Sequence, residues 1–337
     1  ERGSLQWPAR MFFQGRRKTM RKLSTIPGVT LAIVLGVALS GCNFFGNVQG
    51  KMAFRDANGL YQAQDYRGAA DLYEETLAED PTLTAAYFYL GNSYDNLYRP
   101  TRRGEPENDM LLEKAIENYR KAGELEQDAS LRQLALEYLV NAYGPDKMND
   151  PDAAEPILQQ MIAANPTEPA NYFVLSRVYE DLGEYESAES VLLDAKAAKS
   201  DDPGIYMQLA GYYNRLGEFE KAIEALESRV VLEPENPEAH QTVAAFYWDE
   251  VYRDFGLTDD QKSTYLDAGV VSVDKAIELK DDYVEALTYK GLLLRLQAEL
   301  ETDRDTFEAL IEEANALRDR AQALQNQGQE ASPSGEV

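Results

Sequence analysis

One cysteine, Cys42, and one histidine, His240, are the only side chains of their kind in the 337-residue chain. A lone thiol can act as a nucleophile or accept an acyl or alkyl group. It cannot close an internal disulfide or build a multi-cysteine metal centre. A lone imidazole removes most histidine-based metal and acid–base designs, and His240 falls in a helical apolar pattern where a large packing residue is expected. Carboxylates are abundant and pair along the chain as Asp201-Asp202, Asp259-Asp260 and Asp281-Asp282. Each pair sits beside a turn, where capping and solvation account for it more simply than general acid–base work. The segment "DDQKSTYLDAG" lacks the central glycine of a calcium loop, and the chain has no phosphate-binding loop, no G-x-S-x-G and no Cys–His pair. These patterns point away from an enzyme, and no catalytic residue, metal or cofactor is expected.

The charge balance narrows the partners. There are 33 basic and 59 acidic residues, a net charge of −26. Seven of the basic residues, and one acid, precede Cys42, so the remainder holds 26 basic against 58 acidic residues, a balance of −32. Such a surface repels nucleic-acid phosphates and anionic head groups, and nucleic acid is not an expected partner.

The region before Cys42 has the anatomy of an export signal. Met11 and Met20 both offer starts, and residues 1–19 fit an over-extended start. From Met20, Arg21-Lys22 form a basic region, Val29 to Leu39 an eleven-residue apolar run, and Ser40-Gly41 a small-residue stretch before Cys42. The run is too short for a comfortable membrane span. The residues after Arg16-Arg17 do not continue a twin-arginine motif. "Leu39-Ser40-Gly41-Cys42" resembles the bacterial lipobox. That resemblance implies a signal peptide over 1–41, cleavage before Cys42, a diacylglyceryl group on its thiol and often acylation of the new amine. Two or three chains would anchor the protein stably, with 42–49 as the lipidated tether. By the sorting rule of enterobacteria, Asn43 in place of Asp leans toward the outer membrane.

Beyond the tether the sequence repeats. The segments starting at Tyr172 and Tyr206 align without a gap at an offset of 34 residues. Leu175 pairs with Leu209, Tyr179 with Tyr213, Gly183 with Gly217 and Ala188 with Ala222. Each unit reads as helix, glycine turn, helix, with apolar residues at helical spacing and alanines where two helices approach closely. Asp202-Pro203-Gly204, Glu233-Pro234 and Asn236-Pro237 punctuate the units. Asp150 is expected to cap a helix with Pro151 in its first turn.

This pattern resembles the tetratricopeptide repeat, and "YFYLGNSY" at Tyr87, Leu90, Gly91 and Tyr94 is the best single copy of its first half. The resemblance covers 50–322 in about seven units and implies an all-α fold, a right-handed tetratricopeptide-repeat α-solenoid with one extended concave face. Three units carry insertions, near 98–110, 248–262 and 295–306. Residues 323–337 read as a disordered tail.

In this family the first helix of each repeat lines the concave face at defined positions. One position holds Asn58, Asn92 and Asn141, and another holds Phe54, Phe88, Phe173 and Met207; Tyr61, Arg177 and Trp248 fall on the same face. An asparagine row can donate and accept along an extended peptide backbone, with apolar side chains beside it to take partner residues. The lysine and arginine cluster that clamps a C-terminal carboxylate in chaperone-binding members is poorly matched. Arg99, Arg102 and Arg103 in the first insertion offer a contact for an acidic partner or a lipid head group. Trp248, Tyr252 and Phe255 in the second are expected to cover the solenoid flank.

The combined resemblance implies a lipid-anchored scaffold of the bacterial cell envelope, on the outer membrane facing the periplasm. Such a scaffold would bind proteins or peptides in envelope assembly, secretion or wall maintenance. Two alternatives are an envelope enzyme of the wall-hydrolase type and a signal-anchored adaptor of the inner membrane.

Overall fold

Helix boundaries follow from local chemistry. Asp65, Asp128 and Asp150 each accept a hydrogen bond from the third backbone N–H after them, at Gly68, Leu131 and Ala153. Pro106, Pro151, Pro169, Pro203 and Pro237 each open a helix, where the missing N–H has no intrahelical partner to lose. Gly183 and Gly217 end two helices in the left-handed conformation, at φ 77° and 74°. The next amides, of Glu184 and Glu218, donate back to Tyr179 and Tyr213 at 2.8 and 2.9 Å, the closure of a Schellman motif. Identical turns in the two gap-free copies explain why the 34-residue register survives between them.

The computed structural model describes residues 48–331. The signal peptide, Cys42 and the tether as far as residue 47 lie outside the described residues. Fourteen α-helices and one 3₁₀ turn make up the described chain, with no strand among the described residues. They pair into seven units: α1 (48–62) with α2 (Tyr66–Glu79), α3 (Ala85–Leu97) with α4 (Pro106–Leu125), and α5 (Ala129–Tyr143) with α6 (Pro151–Ala164). Then come α7 (Pro169–Leu182) with α8 (Tyr185–Ala198), and α9 (Pro203–Leu216) with α10 (Phe219–Leu232). The last two units are α11 (Pro237–Arg253) with α12 (Asp259–Leu279), and α13 (Val284–Leu300) with α14 (Arg304–Ala331). Each helix packs on its sequence neighbours, and first helices of successive units also touch, as α3 does α5 and α11 does α13. Contacts confined to neighbours are those of an α-solenoid.

Buried alanines sit at the helix–helix crossings: Ala69, Ala115, Ala154, Ala188 and Ala222 in the second helices of the first five units. At the α3–α4 crossing, Gly91 lies opposite Ala115. A Cβ on Gly91 would stand 2.9 Å from the ring of Tyr119 and 3.1 Å from the carbonyl of Ala115, so α3 and α4 approach as closely as a missing side chain allows.

His240 does more than pack. Its Nε2 lies 2.8 Å from the carbonyl oxygen of Pro234, six residues earlier. Tyr172 and Tyr206, at the same repeat position, donate at 2.9 Å to the carbonyls of Pro166 and Ser200, also six residues earlier. His240 thus ties an inter-repeat turn as those tyrosines do.

The three insertions are mostly helix. After a 3₁₀ turn at Pro100–Arg102, α4 runs 20 residues where α2, α6, α8 and α10 run 14. In the second, α11 and α12 lengthen to 17 and 21 residues; in the third, α13 and α14 reach 17 and 28. The last helix continues to Ala331, so the chain expected to be disordered from 323 is helical for its first nine residues. The aromatic flank is covered only in part. Trp248 packs edge-on against Tyr289 and stacks on Tyr252 at 4.9 Å, while Phe255 projects from the turn, 92% exposed.

Candidate peptide groove

Three cavities adjoin along the first helices α3, α5, α7 and α9. The first, about 440 Å³, is walled by Tyr61, Tyr66, Tyr98 and Tyr138, with Asn92, Asp95, Asn96, Asn141 and Lys147. The second, about 360 Å³, shares Asn141 with it and lies between α5, the α5–α6 loop and α7; its walls include Val140, Pro145, Ala154, Phe173, Val174 and Val178. The third, about 230 Å³, shares Phe173 and Arg177 with the second and reaches Glu180, Gln208 and Arg215.

A polar network floors the first cavity. Tyr61 donates its hydroxyl to Asn92 Oδ1 at 2.6 Å, and Asn96 Nδ2 donates to the same oxygen at 2.8 Å. Asn92 Nδ2 reaches the Tyr119 hydroxyl at 3.4 Å, which donates to Asp95 Oδ2 at 3.2 Å. Lys147 Nζ, arriving from the α5–α6 loop, closes on both Asp95 oxygens at 2.7 and 2.8 Å. Burial pushes the Tyr61 phenol above its ordinary pKa, with Tyr66, Tyr138 and Tyr89 adding to it. Burial does the same to Tyr119, reinforced by the Asp95 charge beside it. Both hydroxyls therefore stay protonated near neutrality and serve as donors.

Charges along the groove cancel. Its lining carries three carboxylates and three cations, Asp95 with Lys147, Asp181 with Arg177 at 3.6 Å, and Glu180 with Arg215 at 2.8 Å. The acidic character of the chain lies elsewhere on its surface.

The predicted face residues divide. Tyr61, Asn141, Phe173 and Arg177 line the groove. Asn141 is exposed, and no hydrogen bond to its side chain is made among the described residues. Asn92 lines the first cavity but is only 4% exposed, and its amide is engaged by Tyr61, Asn96 and Tyr119, so it is a floor group and not a free peptide ligand. Asn58 Oδ1 accepts from Tyr73 at 2.6 Å. The expected row of three free amides is thus one free amide and two that brace tyrosines. Phe88 is buried against Tyr89, Tyr119 and Tyr138, and Phe54 packs on Tyr73 and Tyr89. Met207 packs against the core of the fourth and fifth units, and its Sδ lies 2.9 Å from Arg229 Nη1. Trp248 is held in the aromatic stack described above. These four are packing residues, because neighbouring repeats close over them.

The basic loop is also engaged. Arg102 pairs with Glu105, Arg99 Nη1 donates to the Asn96 carbonyl at 2.7 Å, and Arg103 Nη2 donates to the Met148 carbonyl at 3.1 Å. Asn108 clamps the Arg99 backbone from both sides. Arg99 and Arg103 stitch the insertion to α3 and to the α5–α6 loop, and Arg102 pairs within it, a structural use of residues expected to meet a partner.

Tyr66, Tyr138, Lys147 and Val174 were not picked out by repeat position. The signal for Lys147 was the stretch Gly144-Pro145 to Asn149-Asp150, whose turn residues mark a loop longer than the repeat allows.

Tetratricopeptide-repeat family models match residues 147–207 and 203–246. Among solved structures, the C-terminal part of a repeat-containing protein from Cytophaga hutchinsonii is similar, at 15% identity and a TM-score of 0.51. The match covers 80% of this chain and 98% of that one. A tetratricopeptide repeat protein from Parabacteroides merdae matches at 11% identity and TM-score 0.43, covering 79% and 98%. YrrB, described as a TPR protein with an unusual peptide-binding site, matches at 19% identity and TM-score 0.38, covering 54% and 85%. No curated protein matches the sequence. The chain carries tetratricopeptide repeats arranged as an α-solenoid.

Proposed function

We propose that this tetratricopeptide-repeat chain is a lipid-anchored scaffold of the bacterial envelope that holds partner proteins or peptides along its inner face. Repeats of this kind are typically non-catalytic interaction scaffolds. The observation that carries the reading is the run of three adjoining cavities from α3 to α9, which follows the path of an extended chain across successive first helices. Among the described residues no group of three or more His, Cys, Asp or Glu is placed to hold a metal. No described helix is long and apolar enough to cross a membrane, and attachment is assigned to acylated Cys42, with the outer membrane favoured by Asn43 and the array facing the periplasm.

The groove is tested by a photo-crosslinking residue placed at Asn141 and, as a control, at Glu224, an exposed position of α10. Partner adducts are expected from 141 in intact envelopes and not from 224; the same adducts from both positions would refute the groove. Phe88 and Asn92 are unsuitable reporters, because their substitution would disturb the core. The anchor is tested separately with Cys42→Ser, which should abolish fatty-acid labelling and release the chain from membranes. Intact processing and attachment in that variant would remove the lipoprotein assignment.

A further inference from the structure

The third unit departs from the repeat in one respect. In the two gap-free units the paired helices are separated by two residues, Gly183-Glu184 and Gly217-Glu218; in the third, α5 and α6 are separated by seven, 144–150. The loop is not slack. The amides of Met148 and Asp150 donate back to Ala142 and Tyr143 at 3.1 and 2.9 Å, and Asn149 takes φ 58° to allow it. Two contacts from the second unit hold the loop from outside, Lys147 to Asp95 and Arg103 to the Met148 carbonyl. Asp95 and Lys147 side chains are 8% and 19% exposed, so the pair is shielded from solvent, and removing either partner would leave the other charge buried without a counter-ion. The braced loop forms one wall of the apolar second cavity, and α7 forms the other.

We infer that this cavity is an anchor pocket for one bulky aliphatic or aromatic side chain of an extended, locally uncharged peptide. The inference rests on the groove reading above and specifies its ligand. Size is the first argument. At about 360 Å³ the cavity stands near the lower end of the roughly 300–1,000 Å³ range of ligand pockets, enough for a side chain and not for a folded element. Val174 is 43% exposed at its wall, so apolar surface is accessible there. Charge is the second. The lining is balanced one cation to one carboxylate although residues 42–337 carry −32, so a peptide with a charged centre would find every lining charge already paired. Free groups are the third. The Asn141 amide stands between the first and second cavities, and the Tyr66 and Tyr138 hydroxyls make no hydrogen bond among the described residues. They offer neutral donors and acceptors to a peptide backbone on the side of the anchor toward the N-terminal repeats.

The test is a random dodecapeptide library displayed on phage and selected on the full chain in detergent. Winners are re-bound, as synthetic peptides, to Val174→Glu, Asn141→Ala and Lys147→Ala. The expected consensus has one large apolar residue with uncharged neighbours. Affinity should fall about 10–100-fold in Val174→Glu, the equivalent of losing one buried side chain. Lys147→Ala should weaken binding about tenfold by freeing the wall. Affinity should change less than about twofold between low and physiological salt. Val174 is exposed, so an unchanged circular-dichroism melt in Val174→Glu confirms that folding is intact. A consensus of basic residues whose binding collapses with salt but is lost in Asn141→Ala overturns the neutral anchor and leaves the groove standing. Peptides bound equally by wild type, Val174→Glu and Asn141→Ala overturn the groove as well, and so does a selection that enriches nothing.

Discussion

Three glycines inside helices separate backbone propensity from packing in this solenoid. Gly59 in α1, Gly91 in α3 and Gly291 in α13 all gain roughly 1 kcal/mol of helix propensity on substitution by alanine. What the new methyl group meets differs. At Gly59 nothing lies within 4 Å. At Gly291 the nearest atom is the Ala314 carbonyl oxygen at 3.3 Å, with the Leu317 Cβ at 3.8 Å. At Gly91 the Tyr119 ring lies at 2.9 Å and the Ala115 carbonyl at 3.1 Å. Tyr119 is fully buried and held by Asn92 and Asp95, so it cannot swing aside. Helix α3 must therefore lift from α4, an overpacking cost of about 1–3 kcal/mol. Set against the propensity gain, Gly91→Ala should lose about 0–2 kcal/mol, Gly291→Ala should be near neutral, and Gly59→Ala should gain up to about 1 kcal/mol. Each kcal/mol corresponds to roughly 2–4 °C in a chain of this order of size. Because neighbour-coupled arrays can melt in segments, urea melts should be paired with amide hydrogen exchange read separately over α3–α4. Lost protection is expected there in Gly91→Ala. A Gly91→Ala protein at least as stable as Gly59→Ala would refute the close-approach argument.

Alkaline conditions should destabilise the fold in a defined window. Burial, followed by the hydrogen bond to Glu189, pushes the Tyr213 phenol up to about 12 from an ordinary value of 10.0. A raised phenol leaves stability untouched below pH 10 and removes it as pH rises from 10 toward 12, because the unfolded chain gives up the proton first. Phenolate absorbance should show a class of tyrosines that ionise only with loss of helical signal, and Tyr213→Phe should make the alkaline fall less steep. Glu250 is shifted upward by burial and by Asp254, Glu220 and Asp249. Its penalty is absent below its ordinary pKa of 4.5 and grows as pH rises from there toward the raised value, so Glu250→Gln should raise the melting temperature at pH 7 and leave it unchanged near pH 4. Thr258 and Gln261 form a reciprocal capping box at the start of α12. Thr258→Ala should cost about 1 kcal/mol with exchange loss over the first turn of α12, and Thr258→Ser should restore most of it.

Most of the fold was legible because the solenoid is built from local signals. The 34-residue register, the glycine stops and the Asp150–Pro151 start each act within a few residues of themselves. Insertions were legible as departures from the register but not as longer helices, since α4, α12 and α14 extend on ordinary helix-forming residues without a distinctive mark. Groove residues were legible only as positions. Asn58, Asn92 and Asn141 occupy one repeat position and are equivalent on paper, yet the hydroxyls of Tyr73 and Tyr61 occupy the first two and leave the third free. Arg103 looked free for a partner and is spent on a carbonyl 45 residues away.

The amino-acid sequence by itself determined the repeat architecture, the helix punctuation, the acidic balance and the expectation of an anchor at Cys42. Tertiary structure alone decided which inner-face side chains remain available and where a pocket opens. Helix starts and stops depend on neighbours along the chain. Availability depends on hydrogen-bond capacity consumed across repeats, as when Lys147 crosses 52 residues to Asp95 and turns an ordinary surface loop into a fixed wall.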